Sequence, residues 1–253
     1  MFNPVRWFFE VNKKCFRALS KLFPNTKTGI DKYYFDAVRD SLYDGCTVVD
    51  VGGGKTWHLA SERSRFQNLR LVVIDPSEEQ LSYNHDADEK IIFAMGTDER
   101  VPLDDNSADI VTSHMVLEHI ANNDFTMREV HRILKPGGKF ISAMPNKFAV
   151  FAIINQMMPN WLARKILFFF LPETKNSCGF RAYYDRTYYP AMQKLLARYG
   201  FSDAKFTFTY HQSWYFGFFL PFGIIALLWD FLMYALNCKP LCAYFCFVTH
   251  KKS

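Results

Sequence analysis

Charged side chains are scarce in this chain of 253 residues. Lys, Arg, Asp and Glu make up 22% of it, and 30 basic residues against 25 acidic ones leave a net charge of +5. A protein dedicated to nucleic acid needs a concentrated basic surface, so we expect no nucleic-acid partner. Disorder is excluded as well, because 49% of the residues are hydrophobic and such a chain buries a core.

The cysteines form no C-x-x-C pair and have no histidine at ligand spacing beside them. Three of them recur every four residues in an apolar stretch, and we interpret them as small buried side chains in a reducing compartment. The sequence therefore predicts neither a metal site nor a disulfide framework. The six cysteines are Cys15, Cys46, Cys178, Cys238, Cys242 and Cys246.

Internal repeats, low-complexity linkers and a secretory signal are also lacking. The first apolar run, Trp7 to Phe9, stops at Glu10, which does not suit a signal peptide, so we predict a cytoplasmic protein. The length suits one large α/β domain, and we predict a single domain over 1–253.

Aromatic residues, by contrast, are abundant. The chain has 26 Phe, 13 Tyr and 5 Trp, which is 17% of its residues. They concentrate in three flanking stretches, 7–23, 148–189 and 206–247. So many rings either fill a core or face something apolar.

Short apolar runs alternate with helical patterns from Cys46 onward, which indicates a mostly parallel sheet buried on both faces. We also expect a basic amphipathic helix over 5–23 and helices over 30–42 and 189–199. The last of these has Pro190 in its first turn and Gly200 after its end. The predicted strands are Thr47–Val51, Leu71–Ile74, Ile91–Ala94, Asp109–Ser113, Lys139–Ala143, Ala204–Tyr210 and Leu241–Thr249.

The first predicted strand runs into the glycine-rich turn Asp50-Val51-Gly52-Gly53-Gly54-Lys55-Thr56. Glycines let the backbone turn tightly and approach a ligand. The phosphate-binding P-loop pattern G-x-x-x-x-G-K-[ST] does not match, because position 49 is Val where the pattern needs its first Gly. The dinucleotide pattern G-x-G-x-x-G does not match either, because position 57 is Trp where the pattern needs its last Gly. A nucleoside cofactor without a pyrophosphate needs only the D-x-G-x-G turn, and this third class fits.

An acid also ends the second predicted strand, in the sequence Val73-Ile74-Asp75-Pro76. An acid at this place meets ribose hydroxyls in nucleoside-binding α/β folds. The alternative is that Asp75 caps the next helix.

Three further blocks follow in a fixed order. They are V-P-L-x-D-x-S-x-D over 101–109, Leu117-Glu118-His119, and Leu134-Lys135-Pro136-Gly137-Gly138. Together with the D-V-G-x-G and I-D motifs, these blocks resemble the class I S-adenosylmethionine-dependent methyltransferases. Within that superfamily they are most similar to the branch that includes quinone-biosynthesis enzymes, and the resemblance covers about residues 44–146.

The resemblance implies a Rossmann-like, seven-stranded, mostly parallel sheet with helices on both faces and an antiparallel last strand. It divides the chain into N-terminal helices (1–43), a cofactor-binding core (44–146) and a substrate side (147–253), with extra apolar helices at the N-terminus and between the last two strands. The turn 134–138 would lead into the fifth strand. For S-adenosylmethionine it implies these contacts: Asp50, Gly52, Gly53, Gly54, Asp75, Thr97, Asp98 and His114. Thr97 stands where the family often has an acid for the adenine amino group, so this contact departs from the pattern.

The acceptor side is marked less clearly. His114 ends the fourth predicted strand, where the family borders the cofactor methyl, and is our candidate for a base or an acceptor-orienting group; stacking on cofactor or core is the alternative. Glu118 and His119 are interpreted as structural. Tyr183, Tyr184 and His211 come from the region that usually covers the acceptor.

Trp214 to Leu236 is an apolar insert with the single charge Asp230. Its length would span a bilayer, but a crossing would separate the last strand from the sheet, and Pro221 and Gly223 break the run. We therefore interpret it as a membrane-surface helix, with a lid or a dimer face as alternatives. The helix over 5–23 and Trp161 to Leu171 also combine aromatic and basic residues, as interfacial helices do.

The sequence thus predicts methyl transfer to a small, lipophilic or membrane-presented acceptor by a cytoplasmic protein, with a peripheral membrane location as the open alternative. Two alternatives stay open: a methyltransferase for a soluble metabolite or saccharide, with the insert as lid or dimer face, and a binding module for the cofactor without catalysis.

Overall fold

The computed structural model describes residues 4–97, 99–170, 181–202 and 204–252. Within them, seven strands form one sheet in the order β3-β2-β1-β4-β5-β7-β6. The strands are β1 Thr47–Val51, β2 Arg70–Asp75, β3 Glu89–Ile92, β4 Ala108–His114, β5 Leu134–Pro145, β6 Lys205–Thr209 and β7 Tyr244–His250. Pairing from β3 through β2, β1 and β4 to β5 is parallel. The predicted Rossmann-like sheet is confirmed.

The last strand, β7, runs in the opposite direction to β5. Gly137 N donates to Lys251 O and Lys251 N donates to Gly138 O, while Phe201 forms an antiparallel bridge to the same Lys251. These bonds place the chain end antiparallel both to β5 and to the segment that leads into β6. The antiparallel end of the sheet was therefore predicted correctly.

The strand interiors are apolar because helices cover both faces of the sheet. In β1 the side chains of Val48, Val49 and Val51 are all buried, and β2 is buried from Leu71 to Asp75. A strand exposed on one face would alternate apolar and polar residues. Continuous burial leaves the strand ends as the places where polar side chains reach the surface.

Strand β5 differs from the prediction. It begins at Leu134 rather than Lys139, so the L-K-P-G-G stretch expected as a turn belongs to the strand. Its pairing with β4 shifts between Ala108 and Ile110, and Gly137 has a φ of 75°. An irregularity of this kind disrupts the ladder locally and bends the strand.

Eight α-helices lie within the described residues. They are α1 Pro4–Ser20, α2 Ile30–Arg39, α3 Glu78–Ser82, α4 Asn123–Ile133, α5 Val150–Met157, α6 Asn160–Phe170, α7 Tyr189–Arg198 and α8 Leu220–Ala235. Helix α7 has Pro190 in its first turn, and Gly200 follows it with a φ of 80°. Helices α1 and α2 end three residues earlier than expected.

The chain divides into two compact units. Unit 1 contains 1–29, 145–182 and 208–244; unit 2 contains 30–144, 183–207 and 245–253. Unit 2 holds most of the sheet and the motifs of the cofactor-binding core. The organisation of 1–253 as a single domain stays a prediction.

Unit 1 is built around α1 and α8. Pro221 and Gly223 were expected to interrupt the apolar insert, but both lie within α8. Proline in a first turn lacks only an N–H that would have no partner in the helix, so it starts α8 instead of breaking it. Leu220 N at the same end donates to Asn12 Oδ1 of α1 at 2.8 Å.

None of the helices in the described ranges is both long and apolar enough to cross a membrane. Cys46, Cys242 and Cys246 are buried, as predicted, whereas Cys15 is exposed and Cys178 lies outside the described residues.

Candidate functional site

The glycine-rich turn follows β1 and is fixed by contacts within the protein. Gly52 has a φ of 74°, and a Cβ there would lie 2.3 Å from Val116 Cγ2. A Cβ on Gly53 would lie 2.6 Å from Asp50 Oδ2. Any larger residue at these two positions would force the turn to move. The glycines are thus required by the chain's own packing, in addition to any ligand.

Three polar side chains hold the far end of this turn. Asn84, which is fully buried, donates from Nδ2 to Gly54 O at 2.9 Å. Asp75 Oδ2 accepts from Gly54 N at 3.2 Å, and Asp86 Oδ2 accepts from Trp57 N at 2.9 Å. Both backbone polar groups of Gly54 and the N–H of Trp57 therefore have partners within the protein before any ligand binds.

Asp75 ends β2 beside this turn, as predicted. Its Oδ1 accepts from Ser77 N at 2.8 Å, while Ser77 itself caps α3 through Gln80 N. The alternative that Asp75 caps the next helix is therefore wrong. Burial raises the pKa of the Asp75 carboxyl, and the N–H groups of Ser77 and Gly54 oppose that rise. Each carboxylate oxygen has lone pairs left for a ligand hydroxyl.

Asp50 lies in β1, next to β2 in the sheet, and is 5% exposed. Its Oδ1 accepts from Thr112 Oγ1 of β4 at 2.7 Å. Burial raises the pKa of Asp50 to about 6, and the Thr112 hydroxyl acts against this. The second acid of the site is thus deeply buried, and most but not all of it is ionised at pH 7.

His114 ends β4 inside a cluster of rings. Its ring stacks on Tyr34 at 4.7 Å between centroids and lies 5.2 Å from both Phe35 and His58. His114 Nε2 is 2.9 Å from Asp31 Oδ1. A carboxylate only accepts, so Nε2 carries the proton in this pair and Nδ1 is the nitrogen able to take one. The hydrogen bond from His114 lowers the pKa of Asp31.

The residue after His114 is held in an unusual conformation. Met115 has a φ of 54°, and its N–H donates to Ala143 O at 2.9 Å. A long side chain in the left-handed region is strained by about 1–3 kcal/mol, and such strain concentrates at functional sites. The strain lies where β4 ends, between His114 and the Val116 that packs on Gly52.

Thr97 is exposed, and its hydroxyl donates to Ala94 O at 3.0 Å. That bond ties Thr97 to its own loop, so a contact with a cofactor stays a prediction. Asp98 lies outside the described residues.

The predicted acceptor residues are distributed over both units. Tyr183 and Tyr184 belong to unit 2, and the N–H of each donates to Glu118 O, at 2.8 and 3.0 Å. Tyr183 is 44% exposed and Tyr184 is buried. His211 belongs to unit 1. Burial raises the pKa of the Glu118 carboxyl to about 8, so this side chain is neutral at pH 7.

Sequence reasoning missed the partners of His114 and the anchor of the glycine turn. Asp31, Tyr34, Phe35 and His58 surround the histidine, yet Asp31 is 83 residues away from it in the chain. The only signal was the aromatic run Tyr33-Tyr34-Phe35 in α2. Asn84 carried no signal, since an isolated asparagine in a polar segment resembles a turn residue.

These residues fit the nucleoside cofactor implied by the motifs. Buried acids lie at the carboxyl ends of β1 and β2, which pair directly in the sheet, and ligands of open α/β sheets bind at that end. Asp75 suits the ribose hydroxyls and Asp50 suits an amino group. No phosphate-binding lysine and no dinucleotide glycine spacing is needed for such a ligand.

Comparisons with known proteins agree with this assignment. Residues 49–142 match the family model described as a methyltransferase domain. The ubiquinone/menaquinone biosynthesis C-methyltransferase UbiE of Rubrivivax gelatinosus is 33% identical over 98 residues, or 38% of each chain. The mitochondrial arginine-hydroxylase NDUFAF5 of Danio rerio is 32% identical over 42% of this chain and 34% of its own. The chain thus matches well under half the length of these two relatives.

A solved structure covers more of the fold. Phosphoethanolamine N-methyltransferase 2 of Haemonchus contortus, in complex with S-adenosyl-L-methionine, matches 88% of this chain and 53% of its own with a TM-score of 0.55 at 14% identity. This likeness concerns the fold. The family match identifies the core, residues 49–142, as an S-adenosylmethionine-dependent methyltransferase domain.

Proposed function

We propose that this protein transfers a methyl group from S-adenosylmethionine to a small lipophilic acceptor presented at a membrane surface. The observation that supports the transfer is the arrangement at the sheet end. The buried acids Asp50 and Asp75 lie on the adjacent strands β1 and β2, and the glycine turn follows β1. The paired His114 ends β4, on the other side of β1. When bound, the cofactor supplies a methyl group on a sulfonium that needs no further activation.

The chain's own residues then bind and orient. Asp75 accepts from ribose hydroxyls, Asp50 holds the amino group, and the turn Gly52 to Gly54 follows the methionine part. Thr97 and Asp98 are assigned to the adenine side by their place in the family pattern. These roles rest on the family pattern and on the lone pairs that the hydrogen bonds of Asp50 and Asp75 leave open.

His114 is the proposed base or orienting group for the acceptor. Asp31 fixes its Nε2–H, which leaves Nδ1 to accept a proton or a hydrogen bond from the acceptor. Positioning by Asp31 and by the rings of Tyr34 and Phe35 restricts the imidazole to one orientation, and catalysis in this class depends mostly on such placement. Tyr183, Tyr184 and His211 are proposed to contact the acceptor.

The surface of unit 1 supports a lipophilic, membrane-presented acceptor. Among the described residues, 20 of the 25 exposed large apolar side chains lie in unit 1. Unit 1 carries 12 Lys and Arg against 3 Asp and Glu, a net charge of +9, whereas unit 2 carries 18 against 22, a net charge of −4. Apolar and basic residues on one unit suit an anionic bilayer surface.

Helix α8 provides the clearest part of this surface. Its buried positions, Gly223, Leu227, Asp230 and Met233, follow one helical face and include its only charge. The opposite face is entirely apolar, with Phe222, Ile225 and Leu228 each more than half exposed. A helix that packs on a core and faces water has the reverse pattern. The arrangement supports a peripheral membrane location.

Calorimetry with S-adenosylmethionine and with S-adenosylhomocysteine tests the cofactor part. We expect binding of both; a chain that binds neither would contradict the proposal. The acceptor part is tested with radiolabelled methyl groups and total lipid and aqueous extracts of the source cells. We expect the wild-type protein to transfer label into the organic phase. The variant His114→Ala should still bind the cofactor but transfer no label. Label found only in the aqueous phase would contradict a lipophilic acceptor.

A second candidate follows from the arginine-hydroxylase among the relatives, which matches the same region at similar identity. The same core could therefore serve a chemistry other than methyl transfer. Tight cofactor binding with no label transferred to either extract would favour this candidate over the first.

A further inference from the structure

Unit 1 contains a cavity whose lining includes none of the residues assigned to the cofactor. It has a volume of about 310 Å³. Its lining comes from one face of α1 and from the segment that precedes α8: Lys13, Phe16, Arg17, Ser20, His211, Trp214 and Gly217. The α1 residues are spaced at i, i+3, i+4 and i+7, so they form a single stripe on that helix. We call this space the α1 cavity.

The charges that line the α1 cavity are positive. Lys13 and Arg17 both contribute, and no Asp or Glu is part of the lining. Glu10 Oε1 lies 3.5 Å from Lys13 Nζ. The Lys13 side chain is only 17% exposed. A cation kept mostly from water in a cavity favours an anion there.

The lining residue His211 also carries a buried polar atom without a partner among the described residues. His211 Nε2 is buried and has no hydrogen-bond partner within the described part of the chain. Such a buried atom carries a desolvation cost of about 1–3 kcal/mol until something bonds to it. Burial lowers the pKa of His211, which keeps the ring neutral, so Nε2 offers one donor or acceptor without adding charge.

The segment around His211 is held rigidly. Asp230 Oδ2 accepts from Gln212 N and from Ser213 N, both at 2.8 Å. Asp230 is 1% exposed, so a carboxylate buried in an apolar helix serves to fix the chain at this position. The cavity therefore presents its polar atoms in a preset arrangement.

Apolar rings complete the cavity. Phe16 is buried in its wall, and Trp214 is 41% exposed beside it. Tryptophan prefers the level of lipid headgroups, where one end of the ring is apolar and the other wet. Cations and an aromatic ring next to an apolar helix face match an amphiphile whose charged group is an anion.

We propose that the α1 cavity binds the phosphate of an anionic phospholipid headgroup. This site rests on the membrane-facing part of the proposed function and is independent of cofactor binding. Lys13 and Arg17 neutralise the phosphate, His211 adds a hydrogen bond, and Trp214 lies against the glycerol backbone. The oxygens of a phosphate accept several charge-assisted hydrogen bonds at once.

Vesicle co-sedimentation of the full-length protein tests the site. The vesicles are pure phosphatidylcholine or phosphatidylcholine with phosphatidylglycerol. The variant Lys13→Gln/Arg17→Gln is compared with Lys14→Gln/Lys21→Gln, which changes two basic residues of the same region outside the cavity by the same charge. We expect the cavity pair to weaken binding to phosphatidylglycerol vesicles at least fivefold more than the control pair. Equal losses would overturn the proposal and leave general electrostatic attraction.

The charge-neutral variant His211→Phe separates a site from a charged surface. We expect it to weaken binding of soluble dioctanoyl phosphatidylglycerol, measured by calorimetry, at least threefold; unchanged affinity would contradict the site. Inorganic phosphate is titrated in parallel. Binding as tight as that of the short-chain lipid would assign the cavity to free phosphates and overturn the lipid assignment.

Folding and the cofactor reaction are followed independently. Each variant is checked by circular dichroism and by S-adenosylmethionine binding, which we expect to be unchanged. Loss of short-chain lipid binding with normal cofactor binding supports the cavity site alone. Failure of the wild-type protein to bind the cofactor would contradict the proposed function and leave the lipid result standing.

Discussion

At the scale of single residues, the site depends on two acids with different environments. Asp75 is tied to the backbone by two N–H groups, whereas Asp50 has one hydroxyl partner and is almost fully buried. The first is therefore suited to binding, and the second carries an energetic penalty for its charge. Each difference can be measured.

Replacing Asp75 by Ala should weaken S-adenosylmethionine binding by about 1–3 kcal/mol, the range for a lost hydrogen bond to a charged group. Calorimetry measures the change directly. Glu78→Ala on α3 is the matched control, since Glu78 is exposed near the same turn. Equal affinity of the Asp75 variant and the wild type would contradict the ribose role.

Asp50→Asn should stabilise the protein at neutral pH. The folded-state pKa of Asp50 is about 6 against 3.8 in the unfolded chain, so the folded state keeps its proton longer, and stability falls as pH rises from about 4 to 6. Asn imitates the protonated acid and avoids this loss, which is on the order of 2–3 kcal/mol.

Urea unfolding of Asp50→Asn and wild type across pH 4 to 8 checks this prediction. The difference in the free energy of unfolding should be small near pH 4 and grow to its full size above pH 6. Cofactor affinity should fall in the same variant. A difference that does not vary with pH would mean that the carboxylate is not the cause.

At the scale of elements, the contact between α1 and α8 depends on Phe16 and two glycines. A Cβ on Gly217 or on Gly223 would lie 2.7 Å from the Phe16 ring. Phe16 is 3% exposed. The ring is thus enclosed by backbone that must stay free of side chains, which is why a glycine lies inside an otherwise favourable helix.

Gly223→Ala should destabilise the protein by about 1–3 kcal/mol, although alanine in a helix is usually better than glycine by about 1 kcal/mol. The clash with Phe16 exceeds the propensity gain. Thermal unfolding of the full chain measures the balance, and Gly29→Ala is the control because its Cβ would meet nothing within 4 Å. Adding Phe16→Leu to Gly223→Ala should cost less stability than the sum of the two single substitutions, because the smaller side chain relieves the clash. If the two losses in the free energy of unfolding simply add, the clash is not the cause.

The strands and most helices were predictable because their signals are local. Apolar runs such as Thr47–Val51 define a buried strand by themselves, and Pro190 and Gly200 mark the ends of α7. Pro221 was misjudged because a proline within an apolar run has the same appearance whether it starts a helix or ends one. The pairing of Asp31 with His114 was not predictable, since it depends on how α2 packs beside β4.

At the scale of the whole molecule, the aromatic excess and the positive charge belong to the same unit. Unit 1 accounts for more than the entire net charge, since +9 there is offset by −4 in unit 2. Averaging over the chain conceals this division. The composition alone suggested a mildly basic protein, whereas the structure shows a strongly basic, apolar unit and an acidic one.

The double variant Ile225→Gln/Leu228→Gln should lose affinity for anionic vesicles at least tenfold while the protein stays folded, because both side chains are on the exposed face of α8. Flotation with phosphatidylglycerol-containing vesicles measures the loss. Ile92→Gln in unit 2, where the side chain is 57% exposed, should have no effect. Equal binding of the double variant and the wild type would exclude α8 as a membrane contact.

The turn between β1 and Trp57 has one more consequence, for the kinetics of binding. Val116, Asn84 and the backbone contacts of Asp75 shape it without help from a ligand. Ordering this segment therefore costs little at the moment of binding. Variants of single contact residues should then change how long the cofactor stays bound, with little change in how fast it enters.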